Sequence, residues 1–140
     1  MLDQARPVVL LLARIALGVI FLVHGYQKFA MGIAGTAEFF AAAGIPLPGL
    51  AAPAVAGLEV AGGLALVLGA ALPIAGALLA LDMIGAIVFV HGPHGLTGEG
   101  GYEFVLALAA ASLAVGFTGG GAFALDSALT RRRPAQPVIT

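Results

Sequence analysis

The chain has 140 residues, 61% of them apolar and only 9% charged, where a soluble domain of this size carries about 25% charged residues. So small a core cannot hide that much apolar side chain, which excludes a water-soluble globule and leaves an integral membrane protein. A net charge of −1 excludes a general basic surface for nucleic acid, and the absence of cysteine excludes disulfides, dithiol redox chemistry and thiolate metal sites within the chain.

Residues 1–7 form a short polar lead, with Pro7 suited to the first turn of a helix, where its missing N–H is not needed. Residues 8–29, VVLLLARIALGVIFLVHGYQKF, are long enough to span, since a bilayer core takes about 20 residues. Arg14 interrupts the run and no A-x-A site follows it, so the expectation is a retained first helix rather than a signal peptide. Residues 30–49 are too broken by Gly and Pro to span. Within them TAEFFAAAG reads either as an interfacial helix, with Thr36 as cap and Phe39 and Phe40 as membrane anchors, or as an ordinary loop.

Two further spans are expected at residues 50–69 and 73–90, joined by the uncharged GAALP into an antiparallel hairpin. A Gly-rich loop over residues 91–100 leads to a fourth span at 101–117. Gly119, Gly120 and Gly121 then break the chain before a short amphipathic segment and the tail RRRPAQPVIT. The expected fold is all-α: a four-transmembrane-helix bundle with a C-terminal interfacial segment, forming a single membrane domain. Its many small residues (21 glycines) suit close helix contacts in lipid. Arginines cluster at both chain ends, so the positive-inside rule puts both termini in the cytoplasm.

Glu59 and Asp82 fall near the midpoints of the second and third spans, where an ionised carboxylate in hydrocarbon is costly. Arg14 falls roughly 6 Å to the cytoplasmic side of the middle of the first span, at 1.5 Å per residue. It shares a face with Gly18, Phe21, Gly25 and Lys28 at helical spacing. Glu103, Ala107, Ala110 and Ala114 share a face on the fourth span. All these stripes are expected to point inward. That gives a midplane group of Arg14, Glu59 and Asp82 and an outer group of His24, Lys28, His91 and Glu103, flanked by Tyr102. Arg14 is expected to neutralise one midplane acid, with the other protonated or hydrated. A buried network fixing helix register is the plainer reading; a ligand or proton site is the sharper one.

No H-E-x-x-H or similar ligand spacing is present among His24, His91, His94 and Glu103, so no metal site is expected. HGPHGLTGEGG lacks the setting and the Lys-Ser/Thr ending of a phosphate loop, and no nucleophile triad is readable. LLARIALGVIFLVHGYQKF, GLEVAGGLALVLG, a third helix ending at VH, GGYEFVLALAAASL and FALDSAL together resemble the DoxX family of small bacterial membrane proteins, over residues 8–129.

The resemblance implies a four-helix membrane bundle and carries the family pattern onto Arg14, Gly25, Lys28, Glu59, Gly62, Gly63, His91, Tyr102, Glu103 and Asp126. It also implies a link to quinone, thiol or oxidative-stress chemistry. The leading expectation is thus a redox-linked subunit holding a quinone-like or lipid-like molecule between its helices. Arg14, Glu59 and Asp82 form its floor, and His24, Lys28, His91, Tyr102 and Glu103 its rim. Glu59 and Glu103 are the candidates for proton exchange. No covalently bound cofactor is expected, and no haem, flavin or iron–sulfur motif is visible, so electrons come from a partner. Expected partners are the bilayer and other membrane or redox subunits, with self-association a further option. A non-catalytic accessory subunit and a small-solute transporter are the alternatives.

Overall fold

The computed structural model describes residues 2–131. Six α-helices follow in order: α1 (Leu2–Met31), α2 (Ile33–Ala42), α3 (Pro48–Leu68), α4 (Leu72–Ala86), α5 (Glu103–Phe117) and α6 (Leu125–Arg131). A π-helical turn, Ile87–His91, and a 3₁₀ turn, Gly92–His94, extend α4. Three helical runs, Leu2–Met31, Pro48–Leu68 and Leu72–His94, are long and apolar enough to cross a membrane, and α5 is a shorter apolar helix of 15 residues. In each long run only 28–33% of the most apolar window is buried. The remaining Val, Leu and Ile side chains face outward, as lipid requires and water does not permit.

The first helix starts six residues earlier than the expected 8–29 and holds Pro7 inside it. This is tolerated because only one carbonyl near the exposed end, that of Asp3, loses its partner. TAEFFAAAG is helical, within α2. Thr36 does not cap it, however. Gly32 is the N-cap residue, and the Thr36 hydroxyl donates to the Lys28 carbonyl at 3.0 Å, tying α2 back onto α1. Phe39 is exposed as an anchor should be, whereas Phe40 turns inward and is buried.

Glycine decides how the helices meet. A Cβ on Gly18 would lie 2.6 Å from the Gly63 carbonyl oxygen, and one on Gly63 would lie 2.7 Å from that of Gly18. The backbones of α1 and α3 are therefore in direct contact there, as small residues allow in lipid. Gly25 repeats the contact one and two turns along, against Ala56 and Val60. Gly76 on α4 does the same against Ser112 and Gly116 on α5. The inward face of α1 (Arg14, Leu17, Gly18, Phe21, Gly25) matches the expected stripe.

The face of α5 does not. Val105, Leu108, Ala109, Ser112 and Val115 are buried, while Glu103, Ala107, Ala110 and Ala114 look outward. Alanine and leucine alternate around a helix that is apolar on every side, so the pattern gave no preferred face.

At one end of the bundle α3 stops at Gly69 (φ 73°), a left-handed position that glycine fills without strain. Ala71, at φ 48°, then opens α4. Its N–H and that of Leu72 donate to the two carboxylate oxygens of Asp126, at 2.8 and 3.0 Å. A residue far along the chain thus serves as the helix cap, placing negative charge at a helix N-terminus.

The α1–α3 contact is tested by a matched pair of alanines. Gly18→Ala must force backbone from backbone and should lower stability by about 1–3 kcal/mol. Gly57→Ala, on the same α3 with nothing within 4 Å of its Cβ, should raise it by about 0.5–1 kcal/mol. Thermal unfolding of the two variants in one detergent measures the difference.

Candidate functional site

The glycine contacts also fix which polar residues stand level with one another. With Gly18 opposite Gly63 and Gly25 opposite Ala56 and Val60, Lys28 lies about one turn beyond Glu59 and reaches back to it. Its Nζ donates to Glu59 Oε2 at 2.6 Å. Glu59 is 3% exposed and Lys28 21%. Asp82 approaches the same carboxylate from α4, close enough for the two acids to share a proton, and among the described residues no donor reaches its buried Oδ2. One ammonium therefore faces two carboxyl groups, in a setting where unbalanced charge is disfavoured.

Arg14 is elsewhere. It lies level with the end of α3, about 12 Å or more from Glu59 along the axis at 1.5 Å per residue. The side chain is fully buried. Its Nη2 donates to the Phe123 carbonyl at 3.2 Å, and Asp126 supplies the nearby opposite charge. Gly69 and Gly120 leave the room it occupies, since a Cβ on Gly69 would collide with its guanidinium. The expectation that Arg14 neutralises a midplane acid is thus corrected: Lys28 is the cation, and Arg14 fastens the C-terminal segment to the bundle. Position within α1 misleads because the helix runs past the end of α3, so its own midpoint is not the midpoint of the bundle.

Lys28, Glu59 and Asp82 lie on the wall of a cavity of about 530 Å³ in the half of the bundle that carries α2. The remaining walls are mainly apolar, with Phe21, Phe40, Leu58, Met83 and Leu108 prominent, and His24 and His91 join them. Phe39, Leu78, Leu81, Phe89 and Phe104 belong both to this wall and to the outer surface, so the cavity opens sideways toward lipid. The His24 and Phe104 rings stand 6.2 Å apart at its edge. His91 Nδ1 donates to the Gly100 carbonyl at 2.9 Å, which leaves Nε2 free.

The π turn presents Phe89, Val90 and His91 to the cavity. It closes with Gly92 N–H donating to the Ile87 carbonyl. A Cβ at Gly92 would meet that same oxygen at 2.7 Å, and Pro93 has no N–H to continue an α-helical ladder. Glycine and proline in succession thus make the wider turn.

Of the residues expected to bind a ligand, the fold gathers His24, Lys28, Glu59, Asp82 and His91 around one cavity. Arg14, Tyr102 and Glu103 are not on its wall. Tyr102 packs against the core beside it. Glu103 is exposed in the first turn of α5, where a negative charge complements the helix dipole. Phe40, Phe89 and Phe104 were not singled out as wall residues; only Phe21, on the polar stripe of α1, carried a periodic signal. Among the described residues no three His, Asp or Glu side chains gather as a metal ion requires.

An all-helical membrane bundle with a polar cluster at the base of a lipid-facing cavity is thus defined. The DoxX family model matches residues 9–92, and the chain belongs to that family. The match includes Lys28, Glu59, Asp82 and His91 and stops before α5, so the carry-over onto Tyr102, Glu103 and Asp126 lies outside it. A protein of Bacillus subtilis (strain 168) named "Putative oxidoreductase CatD" is 40% identical over 116 residues, 83% of each chain. One of Escherichia coli (strain K12) named "Inner membrane protein YphA" is 36% identical over 128 residues, 87% of this chain and 91% of its own. No solved structure gives a significant match.

The ion pair has a clear mutational signature. Lys28→Met leaves Glu59 buried and unpaired and should cost about 3–5 kcal/mol. The double variant Lys28→Met/Glu59→Leu should recover most of that loss, as seen by unfolding of the purified proteins in detergent.

Proposed function

We propose that this DoxX-family protein is an inner-membrane, redox-linked subunit that holds a quinone-like or lipid-like molecule in the cavity between its helices. One observation carries the reading. Among the described residues no donor reaches a buried carboxylate oxygen of Asp82, which stands beside Glu59 and the Lys28–Glu59 pair on the wall of a lipid-facing cavity. Two acids beside one base and facing a cavity can take a ligand hydroxyl. The cavity volume is within the range of small-molecule sites.

In this reading the rings of Phe89 and Phe104 hold a flat apolar body. Asp82 accepts from a hydroxyl, the spare N–H groups of Lys28 donate to an oxygen beside it, and His91 Nε2, with Nδ1 carrying the proton, accepts from a hydroxyl at the other edge. Reducing a quinone to a quinol takes two electrons and two protons. The acid pair serves the protons, and a partner redox protein supplies the electrons. The oxidoreductase name of the Bacillus relative supports the redox class, and the inner-membrane name of the Escherichia relative supports the location. Arg6 and Arg131 near the two chain ends favour cytoplasmic termini, which turns α2 and the cavity toward the outer face.

Organic extraction of the purified protein tests the proposal. One lipophilic species should recur at about one per chain. Asp82→Asn should lower its occupancy tenfold or more, with the unfolding temperature of the ligand-free protein held or raised, since the second of two acids facing one base is made neutral. Empty extracts from the wild-type chain would instead leave an accessory subunit packed against a larger complex.

A further inference from the structure

A second, smaller cavity of about 150 Å³ lies between α1 and α2. Its wall includes His24, Gln27 and Lys28 from α1 and Thr36 and Phe40 from α2. It shares His24, Lys28, Phe39 and Phe40 with the large cavity, so the two adjoin across these four side chains. Their chemistry differs. The large cavity is walled mainly by Phe, Leu and Val, whereas the small one adds the Gln27 amide and the Thr36 hydroxyl to Lys28. Gln27 is exposed, near the end of α1.

A water needs roughly 10–15 Å³ and two to four polar partners. The chamber exceeds that volume many times over and supplies the partners. Lys28 has three N–H groups and uses one on Glu59. The Thr36 hydroxyl donates to the Lys28 carbonyl and keeps its lone pairs for water. Gln27 brings two donors and an acceptor.

We propose that this chamber is a hydrated passage that carries water, and with it protons, from the membrane border to the Lys28–Glu59–Asp82 cluster. The site then has two entrances. An apolar molecule arrives from lipid past Phe39, Leu81 and Phe104, and protons arrive between α1 and α2 past Gln27. The groups facing Glu59 at the junction are Lys28 and His24 from α1, Asp82 from α4 and His91 from the π turn; α2 contributes no charge to either cavity. The purpose of the passage rests on the ligand reading above, while its hydration can be tested by itself.

Hydroxyl-radical footprinting of the protein in lipid nanodiscs, read by mass spectrometry, makes that test. Phe40 and Phe21 are both buried, 5% and 1% exposed, and both line the large cavity, but only Phe40 lines the chamber. Phe40 should be modified at least tenfold faster than Phe21. Gln27→Leu, which removes a side chain that makes no hydrogen bond within the described residues, should slow Phe40 threefold or more and leave Phe21 unchanged. Equal, slow modification of the two rings would show a dry chamber and overturn the proposal. Equal, fast modification would show one flooded cavity and overturn the separation of entrances. A fast Phe40 with an empty solvent extract would defeat the ligand reading and leave the water passage standing.

Discussion

Glu59, at the middle of α3, is held by Lys28, and that ion pair is possible only because α1 and α3 touch backbone to backbone. Glycine at 18, 25 and 63 brings the two helices close enough for a lysine near the end of one to fold back onto the middle of the other. Any side chain at those positions would part the helices and strand the carboxylate in a medium that cannot solvate it. The polar site and the packing of the bundle are therefore one device. Asp82 reaches the same place from α4, and with it the bundle holds more acid than base at the edge of a lipid-facing space.

This arrangement explains why so apolar a chain keeps charged residues within its spans. The outward surfaces of the helices satisfy the bilayer, and among the described residues the buried charged groups are confined to two places. At one end Arg14 and Asp126 fasten the C-terminal segment to the turn between α3 and α4. In the other half Lys28, Glu59 and Asp82 stand on a cavity wall, two acids to one base. The first place is closed over by the C-terminal segment, whereas the second faces a cavity, which is what separates a fastening from a candidate site.

Much of this was legible in the sequence. Long apolar runs marked the spans, and the spacing of Arg14, Gly18, Phe21, Gly25 and Lys28 marked the inward face of α1. What escaped was relative height. Counting residues along α1 put Arg14 near the acids and Lys28 at a rim, whereas the meeting of Gly18 with Gly63 reverses the two. Register between helices is a property of pairs, and no single run of residues contains it. The face of α5 escaped for another reason: where every side is apolar, periodicity has nothing to report. The inward turn of Phe40 and the hydrogen bond from Thr36 follow from how α2 folds back over α1, which composition does not announce.

Arg14 has one further consequence, for the order in which the chain is made. Its guanidinium is enclosed by residues at 69, 120, 123 and 124, and its opposite charge is at 126. None of them exists when the first helix leaves the ribosome. Until the last segment is synthesised and laid across the bundle, that arginine must stay in contact with headgroups or water. Residues 120–126, made long after the first helix, are thus the ones that let that helix settle to its full depth.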